Sequence, residues 1–140
     1  MKAYVKLLHP NAVIPQYAKA GDAGADLVCV EEVMLSPGQA TDVATGIAVE
    51  CPVGFWFDIR PRSSTLRKRG LYVHQGTIDN GYRGPIFVYV RNDNGHPVVI
   101  RAGERLAQMV FMPLVRPVLE ERDELSPSDR GADGFGSTGA

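Results

Sequence analysis

The chain has 140 residues, enough for one domain with a core of its own and no need of disulfide staples. Its 15 basic and 16 acidic side chains leave a net charge of −1, which excludes a general nucleic-acid binder, since such proteins carry a basic surplus to displace phosphate counterions. Two cysteines, Cys29 and Cys51, make no disulfide framework. With no leader-like segment and no apolar run of membrane-spanning length, the expectation is a reduced, cytoplasmic protein without a membrane span.

Residues 3–8 (A-Y-V-K-L-L) read as a short strand ended by His9-Pro10, followed by an irregular Pro-, Gly- and Ala-rich stretch to Gly24. Residues 25–35 and 40–50 are β-rich and joined by Ser36-Pro37-Gly38, which predicts a hairpin. From 55 to 60, Phe55, Phe57 and Ile59 alternate with Trp56, Asp58 and Arg60, the period of a strand with two distinct faces. The same period returns at 86–91. After an Asn92-Asp93-Asn94-Gly95 turn come strands over 98–100 and 106–112. Only 64–69 suits a brief helix. Short strands at regular intervals predict an all-β sandwich or barrel and argue against a parallel α/β fold.

Charge is uneven along the chain. Arg60, Arg62, Arg67, Lys68 and Arg69 crowd together, whereas Glu120, Glu121, Asp123 and Glu124 cluster later. The last residues, R-G-A-D-G-F-G-S-T-G-A, hold too little apolar surface to order themselves and read as a tail.

The chemistry gathers around G-T-I-D-N-G-Y-R-G at 76–84, where one carboxylate, Asp79, and one aromatic, Tyr82, sit among Gly76, Gly81 and Gly84. Asp-Asn-Gly alone is a hairpin-turn signal. Glycines so spaced would also permit positive φ and let a ligand approach the main chain. Four other stretches keep it company: A-G-A-D-L at 23–27 with Asp26; R-P-R-S-S at 60–64, with Arg62 able to fork onto phosphate oxygens beside Ser63 and Ser64; G-E-R-L-A-Q at 103–108, with Gln108 in an otherwise apolar strand; and the tail, with Arg130, Phe135, Gly136, Ser137 and Thr138. Each alone has a plain structural reading, as a turn carboxylate, a solvated basic face, a satisfied core amide or a linker.

Together, in this order, the five stretches resemble the five motifs of the homotrimeric dUTP diphosphatases (dUTPases), from residue 15 to 139. The resemblance implies a β jelly roll over 1–120, a C-terminal arm over 121–140, and a trimer with active sites at subunit interfaces. It also implies hydrolysis of dUTP to dUMP and pyrophosphate with Mg²⁺. By position, Asp79 would be the general base toward the attacking water, and Tyr82 would stack on the deoxyribose and exclude a 2′-hydroxyl. Asp26 would hold waters of the Mg²⁺ shell, while Arg62, Ser63, Ser64 and Gln108 would grip the phosphates. A hairpin from Val73 through Gly76 and Thr77 to Ile78 would read uracil by its main chain, with Phe87 also counted among the substrate-binding residues. Phe135 would cover the base while Arg130, Gly136, Ser137 and Thr138 close over the phosphates.

Two departures bear on recognition. The phosphate motif is R-S-S-T where many relatives have R-S-G-L, and Val73 stands where several carry an amide-bearing Asn. Two rival functions share the scaffold. One is a dCTP deaminase, which needs a further acid/base carboxylate beside the pyrimidine; the other is a regulatory protein that binds a protein partner. The N-G-Y-R run and the intact G-F-G-S-T-G tail favour the diphosphatase.

Overall fold

The computed structural model describes residues 1–136. Along them run β1 (Tyr4–Leu7), β2 (Ala25–Val28), β3 (Val33–Leu35), β4 (Ala40–Glu50) and β5 (Phe55–Pro61). The helix α1 (Ser63–Arg69) follows, and then β6 (Leu71–Val73), β7 (Gly76–Ile78), β8 (Pro85–Asn92), β9 (Val98–Ile100) and β10 (Arg105–Pro113). One four-stranded sheet has the order β1-β4-β8-β6, a second β2-β10-β5-β7, and β3 pairs with β9 alone. Every pairing is antiparallel, in the jelly-roll manner.

Period-2 patterning decides which face each strand buries. Along β8, Ile86, Val88 and Val90 are buried while Phe87, Tyr89 and Arg91 face outward. The inward side chains of the first sheet meet Leu27, Phe57, Ile59, Leu106 and Met109 of the second, with Leu35 and Ile100 closing one end. Buried polar groups are few and mostly paired. Asn92 donates to the Leu35 and His96 carbonyls at 3.0 and 2.8 Å, which fastens the end of β8 to β3. Burial pushes both thiols, Cys29 and Cys51, above the usual range, and both are unbridged.

Helix α1 is the one the sequence predicts, begun a residue earlier. Gly70 ends it in the left-handed region at φ 60°, and Arg67, Lys68 and Arg69 fill its last turn, where cations suit the dipole. The Asn94 side chain donates to the Arg69 and Gly70 carbonyls. Thr65 Oγ1 donates to the Leu106 carbonyl at 2.9 Å, so the start of the helix is pinned to β10.

Two expected hairpins are not hairpins. Ser36-Pro37-Gly38 does turn the chain, with Gln39 N–H donating to the Ser36 carbonyl. Yet β2 pairs with β10, β3 with β9, and β4 with β1 and β8. The turn hands the chain from one sheet to another, because these strands bury faces against a common core rather than against each other. Likewise β6 belongs to the first sheet and β7 to the second, so the Val73–Ile78 segment is a bend across the sandwich. No helix among the described residues is long and apolar enough to cross a membrane.

Candidate active site

In the second sheet Gln108 stands opposite Asp26 on one side and Arg60 on the other. Paired residues share a face, so these three polar side chains form a row. Just beyond it, Pro61-Arg62 carries the chain from β5 into α1. Arg62 is extended there (φ −81°, ψ 150°), and its Nε lies 2.9 Å from Asp26 Oδ1. Arg105 reaches the other carboxylate oxygen at 3.5 Å, and Gln108 Nε2 donates to the Pro61 carbonyl at 3.1 Å. Gly24 leaves room for this: a Cβ there would overlap the Gln108 amide. The result is a cleft of about 260 Å³ in which Asp26, Arg62, Ser63, Ser64 and Gln108 all present polar groups. Asp22 also lines it, a residue the sequence reading did not single out; its carboxylate accepts the Lys19 N–H at 2.9 Å, as a turn residue does.

The Asp79 turn lies elsewhere. β7 pairs with β5 so that Ile78 faces Phe57, which sets the turn at the Phe55 end of β5. Asn80 Nδ2 donates to the Phe55 and Pro52 carbonyls at 2.7 and 2.9 Å and fixes it there. Asp79 is exposed and its carbonyl accepts the Tyr82 N–H at 3.0 Å. The Tyr82 hydroxyl donates to the Pro85 carbonyl at 3.0 Å, and the ring lies over Gly84, whose missing Cβ would meet that hydroxyl. None of Gly76, Gly81 and Gly84 has a positive φ, contrary to expectation. What the turn needs from Gly84 is space for an aromatic ring, not a left-handed backbone.

Since Arg62–Ser64 stands at the opposite end of β5, about 3.3 Å per strand residue puts Asp79 roughly 20 Å from the cleft of its own chain. Val73 is buried in β6, so only its main chain is available to a ligand, while Thr77 is exposed and Ile78 half-buried. Phe87 is on the outward face of β8. Arg130 Nε donates to the Asp133 carbonyl at 2.8 Å, and Phe135, at φ 50°, is fully exposed ahead of Gly136. The described part of the tail therefore covers neither half of the constellation. Ser137 and Thr138 lie outside the described residues. After β10 the described residues form no strand or helix.

Asp58 departs from its strand pattern. The alternation puts it on the polar face of β5, yet it is 1% exposed. Its Oδ2 accepts from Arg60 Nε at 2.8 Å and from Gln75 Nε2, while Oδ1 is buried with no partner among the described residues. Nothing in the period-2 signal could have revealed this, because what covers Asp58 is the bend around Gln75, which arrives from the other sheet.

Among the described residues no three His, Cys, Asp or Glu side chains gather as a metal cage. The cleft offers Asp26 and Asp22 beside the Ser63 and Ser64 hydroxyls. That donor set fits a hard divalent cation which keeps several waters and takes further ligands from phosphate, and does not fit a fully protein-bound ion.

Fold and cleft define an all-β jelly-roll protein whose arginine- and hydroxyl-lined cleft suits a phosphorylated ligand. The dUTPase family model matches residues 10–139. The chain is 46% identical to a deoxyuridine 5'-triphosphate nucleotidohydrolase of Thermobifida fusca over 99% of this chain and 79% of that one. It is 45% identical to that of a Hydrogenobaculum species over 99% of each. A solved structure of Staphylococcus bacteriophage 80alpha dUTPase with dUpNHpp superposes with a TM-score of 0.94 at 31% identity, covering 99% of each chain. The chain belongs to the dUTPase family.

Proposed function

We propose that this chain hydrolyses dUTP to dUMP and pyrophosphate, at sites that neighbouring copies of the chain complete in a homotrimer. The observation that carries the reading is the cleft in which Arg62, Ser63, Ser64 and Gln108 surround the Asp26 carboxylate, with the Asp79 turn at the far end of β5. A carboxylate roughly 20 Å away, at about 3.3 Å per strand residue, cannot act on a ligand in that cleft. A second copy presenting its own turn brings the halves together, and closed cyclic symmetry gives every copy the same pair of contacts.

In the assembled site Arg62 and Gln108 hold the phosphate chain, with the Ser63 and Ser64 hydroxyls donating to its oxygens. Uracil lies along the main chain of Val73 to Ile78, with Phe87 nearby. Tyr82, its ring fixed through the Pro85 carbonyl, packs on the deoxyribose where a 2′-hydroxyl would have to fit. Asp79 takes a proton from the attacking water; a P–O bond forms to that water's oxygen, the α–β anhydride bond breaks, and pyrophosphate leaves with the bridging oxygen. Phe135 covers the base, and Arg130, Gly136, Ser137 and Thr138 of the arm close over the phosphates and exclude bulk water.

The dUTPase family generally uses Mg²⁺. When bound, Mg²⁺ supplies neutralisation of the crowded phosphate charge, and Asp26 would hold it through water. The test is pyrophosphate release from dUTP, compared with dCTP, dTTP and UTP, with and without Mg²⁺. Turnover of dUTP alone supports the reading; ammonium release from dCTP would replace it with deamination.

A further inference from the structure

Thr65 follows the two cleft serines, yet it does not line the cleft, and its hydroxyl bonds into the sheet instead. Three observations concern what that bond holds. First, the acceptor is the carbonyl of a bulge. The register of β10 against β2 slips between Arg105 and Ala107, and β5 pairs with β10 only from Ala107 onward, so Leu106 has no opposite residue in either strand among the described residues. Its carbonyl accepts from Thr65 Oγ1 at 2.9 Å, with both residues buried. Second, the start of α1 has little of its own to hold it. Among the described residues of α1 Thr65 alone is buried, Arg62 supplies no capping side chain, and the first turn carries no acidic residue. Serine and threonine are weak helix formers, and a helix of two turns is marginal by itself. Its far end, by contrast, is fastened by Arg69 to both Glu104 oxygens and to the Val99 carbonyl. Third, the other side-chain ties of this segment come from groups that the proposed reaction needs. Arg62 bonds the Arg105 carbonyl at 3.3 Å besides Asp26, and Gln108 bonds the Pro61 carbonyl; both turn to phosphate in the proposed site. A bound triphosphate leaves the buried Thr65 bond intact.

We infer that Thr65 is a positioning residue for the phosphate-gripping segment: its hydroxyl, bonded to the Leu106 bulge, holds Ser63 and Ser64 at the cleft while Arg62 and Gln108 are drawn to the ligand. The inference rests on the proposed dUTP site and adds to it a residue that touches no substrate. Without the hydroxyl, Leu106 keeps a buried carbonyl with no donor, and the start of α1 is free to leave the binding position. Only the fraction of chains with that segment in place then binds a triphosphate, so apparent affinity falls by that fraction. A ligand without phosphates does not read the segment and is indifferent to it.

The experiment measures dUTP hydrolysis, calorimetric affinity for a non-hydrolysable dUTP analogue, inhibition by deoxyuridine and melting temperature for wild type, Thr65→Val and Thr65→Ser. Valine keeps the shape of threonine and drops the hydroxyl; serine keeps the hydroxyl and drops the methyl. Thr65→Val is expected to weaken the analogue about tenfold and to raise KM for dUTP by a similar factor with kcat within about twofold, the worth of one buried hydrogen bond left unmade. Inhibition by deoxyuridine should stay within about twofold of wild type, since that ligand has no phosphate to report on the segment. Thr65→Ser should bind the analogue as wild type does, even with a lower melting temperature. A purely structural role would instead lower the melting temperature of both variants with analogue affinity unchanged, and that result would overturn the inference. So would an equal loss for analogue and deoxyuridine, or a serine variant as weak as the valine one. Should Thr65→Val not fold, Thr65→Cys, whose thiol is a weak donor, takes its place under the same outcomes. Wild type inactive on dUTP would overturn the proposed function and this inference with it, an outcome distinct from an active wild type with indifferent variants.

Discussion

Arg62 Nε lies 2.9 Å from Asp26 Oδ1, so the cleft's own carboxylate engages the cation that a phosphate chain would need. A triphosphate must take Arg62 away from Asp26, and a divalent cation beside Asp26 would balance the carboxylate so released. Asp26→Asn should therefore raise the Mg²⁺ concentration for half-maximal pyrophosphate release about tenfold, the worth of a charged hydrogen bond. An unchanged Mg²⁺ titration would remove Asp26 from any metal role.

Asp79→Asn keeps shape and volume but cannot accept the water's proton. Turnover should fall about 10²–10⁴-fold, while affinity for a non-hydrolysable dUTP analogue, measured by calorimetry, stays within a few-fold. Equal losses in both measurements would make Asp79 a binding group.

Gly84→Ala tests Tyr82 without touching it. Gly84 has no positive φ, so alanine brings no backbone strain, but its Cβ would overlap the Tyr82 hydroxyl and displace the ring. The expected result is a smaller preference for dUTP over UTP, by about tenfold, at nearly unchanged stability to urea. A preference equal to wild type would separate Tyr82 from sugar selection.

Removing Arg130 to Ala140 should lower the rate at least about 100-fold if the proposed closure positions the reacting groups, and should leave the number of subunits by light scattering and the melting curve unchanged. The described part of this segment contributes nothing to the core. Full activity in the shortened chain would leave the tail without a catalytic part.

Where the alternation of apolar and polar residues was clean, the sequence foretold the strands. β8 and β5 came within a residue or two of their bounds, and α1 begins one residue before the expected 64–69. Pairing was not legible in the same way. Ser36-Pro37-Gly38 specifies that the chain turns, but which strand lies next to β4 depends on Val88 and Val90 arriving from far along the chain. The cleft residues Asp26, Arg62 and Gln108 were readable as types and come together through the β2-β10-β5 register, which no local pattern encodes. Asp58 stayed hidden for a related reason: its burial comes from a bend whose position follows from the sandwich.

The length of β5 carries a consequence for mixtures. Because Arg62 and Asp79 stand at its two ends, the proposed sharing of sites between copies means that damage to one end should leave the other usable by a neighbour. Arg62→Ala and Asp79→Asn chains, each inactive as pure proteins, should regain activity when unfolded together and refolded in equal amounts. Random assembly would pair an intact cleft with an intact turn in about a quarter of the sites. Heterozygous complementation of this kind requires that the two ends be drawn from different chains, so a mixture as silent as its parents would mean that each chain works alone.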